Sequence, residues 1–172
     1  MIERVAIIGA GGLGSRLALA SARAGFRTTL EDVLPSSLRR AVAGMVEAGA
    51  DPALVRYATS VEDAVRDADL ILDCVPDELE SKLEIFSLLD RMAPPQAIFA
   101  TPTNTLSIAD LASCTYRAER CIAVSFDEAE LTGRVTLTYP PHASDAVLRD
   151  VAEFWRRLGA EVALREDLLA LP

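Results

Sequence analysis

An α/β fold, doubly wound around a mostly parallel sheet with helices on both faces, is predicted by three features of this sequence. Short apolar runs alternate with amphipathic helical segments from end to end, the pattern of parallel strands covered on both sides. The first run, Val5-Ala6-Ile7-Ile8, leads into a glycine-rich turn, Gly9-Ala10-Gly11-Gly12-Leu13-Gly14, that opens a helix. The second run, Phe26 to Leu30, ends at two acids, Glu31 and Asp32.

Taken in order, Arg4 to Ile8 reads as a buried strand and Gly12 to Ala24 as a helix closed by Gly25. Arg27 to Asp32 is the second strand. Pro35 and Ser36 open a helix reaching Ala48, and Gly49 ends it. Val55 to Ala58 is a short strand, and Ser60 caps a brief helix whose first turn carries Asp63. Asp69 to Val75 is a buried strand stopped by Pro76. A helix follows over Glu78 to Met92, with Leu79, Leu83, Phe86 and Leu89 or Asp90 at helical spacing. Pro94-Pro95 breaks it before a strand at Ala97 to Ala100. Thr101 to Thr105 is a polar loop, and Ser107 caps a helix to Ser113. Cys121 to Phe126 and Arg134 to Tyr139 are strands. Ser144 and Asp145 open the last helix, and Glu161 to Leu164 is the closing strand.

The glycine turn has the spacing of a dinucleotide-binding, Rossmann-type loop. Gly9 permits the tight turn, Gly11 lets backbone approach a pyrophosphate, and Gly14 lets the helix pack closely on its strand. Gly12 and Leu13 open that helix, whose N-terminus presents free N–H groups to phosphates. Asp32 accepts hydrogen bonds from ribose hydroxyls. With Glu31 it repels a 2′-phosphate, so NAD is expected over NADP. Arg39 and Arg40 are expected on the solvated face of the following helix.

The 172 residues suit one domain, 1–172. No run is long enough to cross a bilayer, and Met1 to Arg4 leaves no space for a signal peptide. A net charge of −9 argues against nucleic acid and anionic membrane as partners. Cys74, Cys114 and Cys121 have no zinc-ligand spacing and no even pairing, so no metal site is expected, and reduced thiols suit a cytoplasmic protein. Lys82 is the only lysine and His142 the only histidine.

These segments resemble the NAD-binding domain of 3-hydroxyacyl-CoA dehydrogenases. Ile8-Gly9-Ala10-Gly11 through Gly14 is similar to the family's opening. Ala68-Asp69-Leu70-Ile71-Leu72-Asp73-Cys74-Val75-Pro76-Asp77 is similar to its "A-D-L-V-I-E-A-V-P-E" strand. Leu79, Lys82, Glu84 and Phe86 resemble the "N-L-x-x-K-x-E-L-F" helix, and Thr103 to Ile108 resembles "N-T-S-S-L-S-I". The resemblance implies that Asp77 stands for a glutamate beside the nicotinamide ribose and that Lys82 contacts the same part of the cofactor. A solvated helix lysine is the plainer reading of Lys82.

The catalytic half departs from the resemblance. Ser125 falls where the family's "H-F-F-N-P" loop has its acid/base histidine, and the loop continues Asp127-Glu128-Ala129-Glu130. The family's orienting glutamate falls on Thr136 or Leu137, and its substrate-facing serine on Asn104. His142, in a loop after Pro140-Pro141, is no substitute. The resemblance also implies a C-terminal helical domain, absent from these residues, that walls the acyl-CoA pocket. The surface it would cover is expected either to be polar or to be covered by a partner, a homo-oligomer or a separate helical subunit; Leu168, Leu169 and Leu171 are candidate contacts, with packing on their own domain the commoner outcome.

Two readings remain open, beside a weaker third in which even the cofactor site is vestigial. One is an NAD-dependent 3-hydroxyacyl-CoA oxidoreductase of fatty acid metabolism, weak or inactive alone, using Ser125 and Asn104 to polarise substrate and Asp127 or Glu128 as acid/base. The other is a non-catalytic NAD-binding sensor or assembly module.

Overall fold

The computed structural model describes residues 1–127 and 129–168. Among these residues one eight-stranded sheet holds β1 (Arg4–Ile8), β2 (Arg27–Glu31), β3 (Val55–Ala58), β4 (Leu70–Asp73), β5 (Ile98–Pro102), β6 (Cys121–Phe126), β7 (Arg134–Tyr139) and β8 (Glu161–Glu166) in the order 3-2-1-4-5-6-7-8. Every pairing is parallel except β6 with β7. The order reverses beside β1, so the crevice between β1 and β4 is a switch point where such sheets take ligands.

Among the described residues six α-helices cover the sheet: α1 (Gly12–Arg23), α2 (Pro35–Glu47), α3 (Val61–Val65), α4 (Leu79–Met92), α5 (Ile108–Ala112) and α6 (Asp145–Arg157). Alternate residues of each strand feed two cores. Ile7, Leu30, Leu72 and Val124 pack with Leu17 of α1, Leu38 of α2 and Trp155 of α6. Ala6, Ile8, Ile71 and Phe99 pack with Val65 of α3, Phe86 of α4 and Leu111 of α5. A row of rings, Phe26, Phe154, Trp155 and Phe126, has centroid separations of 4.9, 5.5 and 5.4 Å. It ties β2 and β6 to α6.

The local signals act as expected at several ends. Gly25 and Gly49 take positive φ, 88° and 69°, just past α1 and α2. Ser60 and Ser107 accept the N–H of Asp63 and Asp110, capping α3 and α5.

Two expectations need correction. The expected loop at Thr101 belongs to β5, which runs on through Pro102 with Thr101 fully buried. The face that α4 turns inward is Lys82, Ile85, Phe86 and Leu89, whereas Leu79 is 47% exposed. A charged residue holds the place that hydrophobic spacing gives to a leucine, because a buried carboxylate faces it.

Candidate functional site

The glycine turn joins β1 to α1 at the switch point. Gly9 sits at φ 102°, donates its N–H to Glu31 O at 2.8 Å, and lies against the Cys74 carbonyl. A Cβ on Gly14 would fall 1.8 Å from Gly9 O, so only glycine allows α1 this close to the turn. A Cβ on Gly11 or Gly12 would meet nothing within 4 Å. No side chain caps α1 at Gly11, so its first N–H groups have no partner from a capping side chain.

Asp32 follows β2 and has a structural task besides the expected one. Its Oδ2 accepts the Ala10 N–H at 3.0 Å and its Oδ1 the Leu34 N–H at 2.8 Å. The carboxylate therefore pins the glycine turn while keeping lone pairs for a ribose. Beside it Glu31 is 2% exposed, and burial, with the adjacent Asp32 charge, pushes its carboxyl up to about 7. Arg39 and Arg40 are both exposed on α2.

A cavity of about 210 Å³ lies between the ends of β4, β5 and β6, lined among others by Leu13, Asp77, Lys82, Thr103 and Asn104. Asp77 is exposed at its rim. Lys82 is 1% exposed, and its Nζ sits 3.2 Å from Asp73 Oδ2 and donates to Asp73 O at 3.3 Å. Asp73 also accepts from Thr101 Oγ1 at 2.9 Å and from the Val75 N–H at 3.0 Å. Burial raises the Asp73 carboxyl despite the pull of Lys82 and these donors. The lysine is thus neither solvated nor freely extended toward a ligand: it is held beneath the cavity floor. The sequence alone places Asp73 inside a buried strand and Thr101 in a polar loop, and nothing in their spacing pairs either with Lys82.

Ser125 and Asn104 meet. Ser125 Oγ donates to Asn104 Oδ1 at 2.6 Å, and Thr136 is the register partner of Ser125. Thr103 Oγ1 accepts the N–H groups of Thr105 and Leu106 and so shapes the loop that presents Asn104. Asp127 is exposed and accepts the Ala129 N–H, whereas Glu128 lies outside the described residues. His142 is exposed, at φ 66°, beyond the end of β7 that points away from Ser125. Leu168 is 81% exposed, and Leu169 and Leu171 lie outside the described residues.

Residues 4–167 match the family of the 3-hydroxyacyl-CoA dehydrogenase NAD-binding domain. The chain belongs to that family. A 3-hydroxybutyryl-CoA dehydrogenase of Bradyrhizobium diazoefficiens is 32% identical over 99% of this chain and 63% of its own length. The structure of a diketoreductase superposes with a TM-score of 0.82 at 30% identity, over 96% of this chain and 64% of that one. The (S)-3-hydroxybutyryl-CoA dehydrogenase of Ralstonia eutropha shares the fold, with a TM-score of 0.86 at 23% identity, over 97% of this chain and 64% of that one. The chain therefore spans less than two thirds of the length of these relatives.

As an NAD-binding domain of the 3-hydroxyacyl-CoA dehydrogenase type, it has NAD as its cofactor. The geometry fits: an uncapped helix start, a cradle that a Cβ at Gly14 would break, and a carboxylate at the end of β2. Among the described residues, no group of three or more His, Cys, Asp and Glu could hold a metal ion. Among the described residues Cys74, Cys114 and Cys121 form no disulfide, and burial pushes the Cys121 thiol up to about 12. No described helix is long and apolar enough to cross a membrane.

Proposed function

We propose that this chain is the cofactor-binding part of an oxidoreductase acting on 3-hydroxyacyl-CoA thioesters. The observation that carries the reading is the turn at Gly9 to Gly14, closed to a side chain at Gly14 and open at Gly11, with Asp32 latched across it. Gly9, Gly11, Gly12, Leu13 and Gly14 seat the pyrophosphate, and Asp32 takes the adenosine ribose. Asp77 takes the nicotinamide ribose from the cavity rim. Lys82, anchored by Asp73, supplies positive charge under the same cavity.

NAD, when bound, accepts hydride from the carbinol carbon or returns it to the ketone. The chain must move the accompanying proton, and losing a positioned acid/base typically costs ~10²–10⁴-fold. Ser125 and Asn104 hydrogen-bond the substrate oxygen, and Asp127 or Glu128 exchanges its proton. Residues 1–172 form one domain in this reading, and a second copy or a helical subunit supplies the other wall of the acyl-CoA pocket. The relatives that are 3-hydroxybutyryl-CoA dehydrogenases support a short acyl chain and a place in fatty acid metabolism. Cysteines that form no described disulfide fit the cytoplasm.

Calorimetric titration with NAD tests the binding part: the wild type binds and Asp32→Ala loses at least tenfold in affinity. Equal affinities remove the ribose contact. An NADH assay with a 3-ketoacyl-CoA of short chain tests catalysis, with Ser125→Ala and Glu128→Gln each slower. Absence of turnover in the wild type removes the catalytic assignment for the isolated chain.

A further inference from the structure

β8 ends the sheet, paired with β7 on one side and with no strand among the described residues on the other. It carries six residues, Glu161-Val162-Ala163-Leu164-Arg165-Glu166, all exposed except the half-buried Val162. Leu164 is 51% exposed. A row of unmade backbone hydrogen bonds beside an exposed leucine is a template for another strand. The opposite edge, β3, has only four residues, and its Arg56 is held by Asp63 at 2.7 Å.

We propose that β8 pairs antiparallel with β8 of a second copy of this chain, about a two-fold axis midway between the two Ala163 residues. The register follows from symmetry and charge. A two-fold axis normal to the sheet keeps each face on its own side, so odd-numbered residues meet odd-numbered ones. Three registers are then available near the middle of the strand, centred on Val162, Ala163 or Leu164. Centring on Leu164 sets Glu161 against Asp167 and Val162 against Glu166. Centring on Val162 leaves Arg165 opposite Gly159, without an acid. Centring on Ala163 sets Glu161 against Arg165 twice on one face and Val162 against Leu164 twice on the other.

Neighbouring side chains favour the same register. Arg165 Nη2 donates to Thr138 Oγ1 at 3.1 Å and Glu161 lies 3.7 Å from Arg134 Nη2, so both charges already stand on the Thr136 face. Pairing extends each contact by one strand into a row of alternating charge. Ser125, Thr136 and Ala163 share one register line. The axis therefore passes about 12 Å from each Ser125, at two and a half strand spacings, and leaves both candidate sites open on one face of a continuous sheet. The proposal is independent of cofactor and substrate.

Sedimentation velocity on the full chain tests it. A short edge gives a weak, concentration-dependent dimer, with roughly micromolar dissociation. Glu161→Arg and Arg165→Glu each weaken it at least tenfold, and the double variant E161R/R165E recovers it, because the exchanged charges still meet. Circular dichroism checks that each variant remains folded, as expected for exposed positions. Ala163→Cys, oxidised, forms a covalent dimer whose linked peptide is mapped by mass spectrometry, since facing strand residues lie within disulfide reach. A chain that stays monomeric at near-millimolar concentration overturns the proposal. So does a dimer indifferent to either single charge reversal, or one whose linkage excludes position 163.

Discussion

Glu31 lies at the end of β2 on the face of its register partners Ile8 and Ala58, among residues of the α3 and α4 core. Among the described residues its Oε1 has no hydrogen-bond partner. The folded protein holds this proton more tightly than the unfolded chain, with the carboxyl raised from 4.5 to about 7. The stability it contributes is complete below pH 4.5, declines as pH rises, and is gone above about 7. Denaturation midpoints at several pH values should fall across that window, by on the order of 3 kcal/mol at most. Glu31→Gln should flatten the profile; an unchanged slope would place the titration elsewhere. Glycine substitutions separate fold from ligand at the same scale. Gly14→Ala drives a methyl into Gly9 O and should unfold the turn. Gly11→Ala meets nothing, so thermal stability should persist while NAD affinity falls at least tenfold.

The start of α4 is held by chemistry more than by burial of leucines. Lys82 from α4, Asp73 from β4 and Thr101 from β5 form one buried unit that joins three elements under the cavity. Breaking a buried pair from one side typically costs ~3–5 kcal/mol, because the partner is left charged and unpaired. Asp73→Asn strands an ammonium. Lys82→Met leaves a carboxyl that burial already raises and that can take up a proton. Urea denaturation at neutral pH should therefore show the larger loss for Asp73→Asn, and the reverse order would mean that Lys82 gains its stability elsewhere. At the other end, Asp167 Oδ2 accepts from Ser107 Oγ at 2.7 Å and from the Ala109 N–H at 3.0 Å, clasping the start of α5 to the end of β8. Asp167→Ala should raise hydrogen exchange in residues 107–111, because α5 is too short to persist without its anchor.

At the scale of the molecule, two cores on opposite faces of one sheet fix where the strand ends converge. The ring row through Trp155 spans half of that width, and Trp155→Ala should cost about 3–5 kcal/mol by leaving a cavity. On the proposed reading NAD needs the assembled crevice, to which β1, β2 and β4 lead. At a concentration of about 100 Kd it should add roughly 2.7 kcal/mol to stability, read as a rise in Tm. Asp32→Ala should lose most of that rise. A rise preserved in full would show that the carboxylate acts only on the Ala10 and Leu34 N–H groups.

The sequence by itself determined the alternation of strand and helix, the glycine turn and its acid, and membership of a family whose domain binds NAD. These are local signals: hydrophobic period, backbone freedom at Gly9 and Gly14, and caps at Ser60 and Ser107 are written in consecutive residues. Only the tertiary structure decided what Lys82 touches, that Ser125 meets Asn104 with Thr136 opposite, and that Asp32 latches the turn. Each partner is far along the chain, and spacing in sequence carries no distance between segments that a sheet order brings side by side. The burial of Glu31 has the same origin: an acid beside Asp32 looks solvated until β1 and β3 close over it from either side.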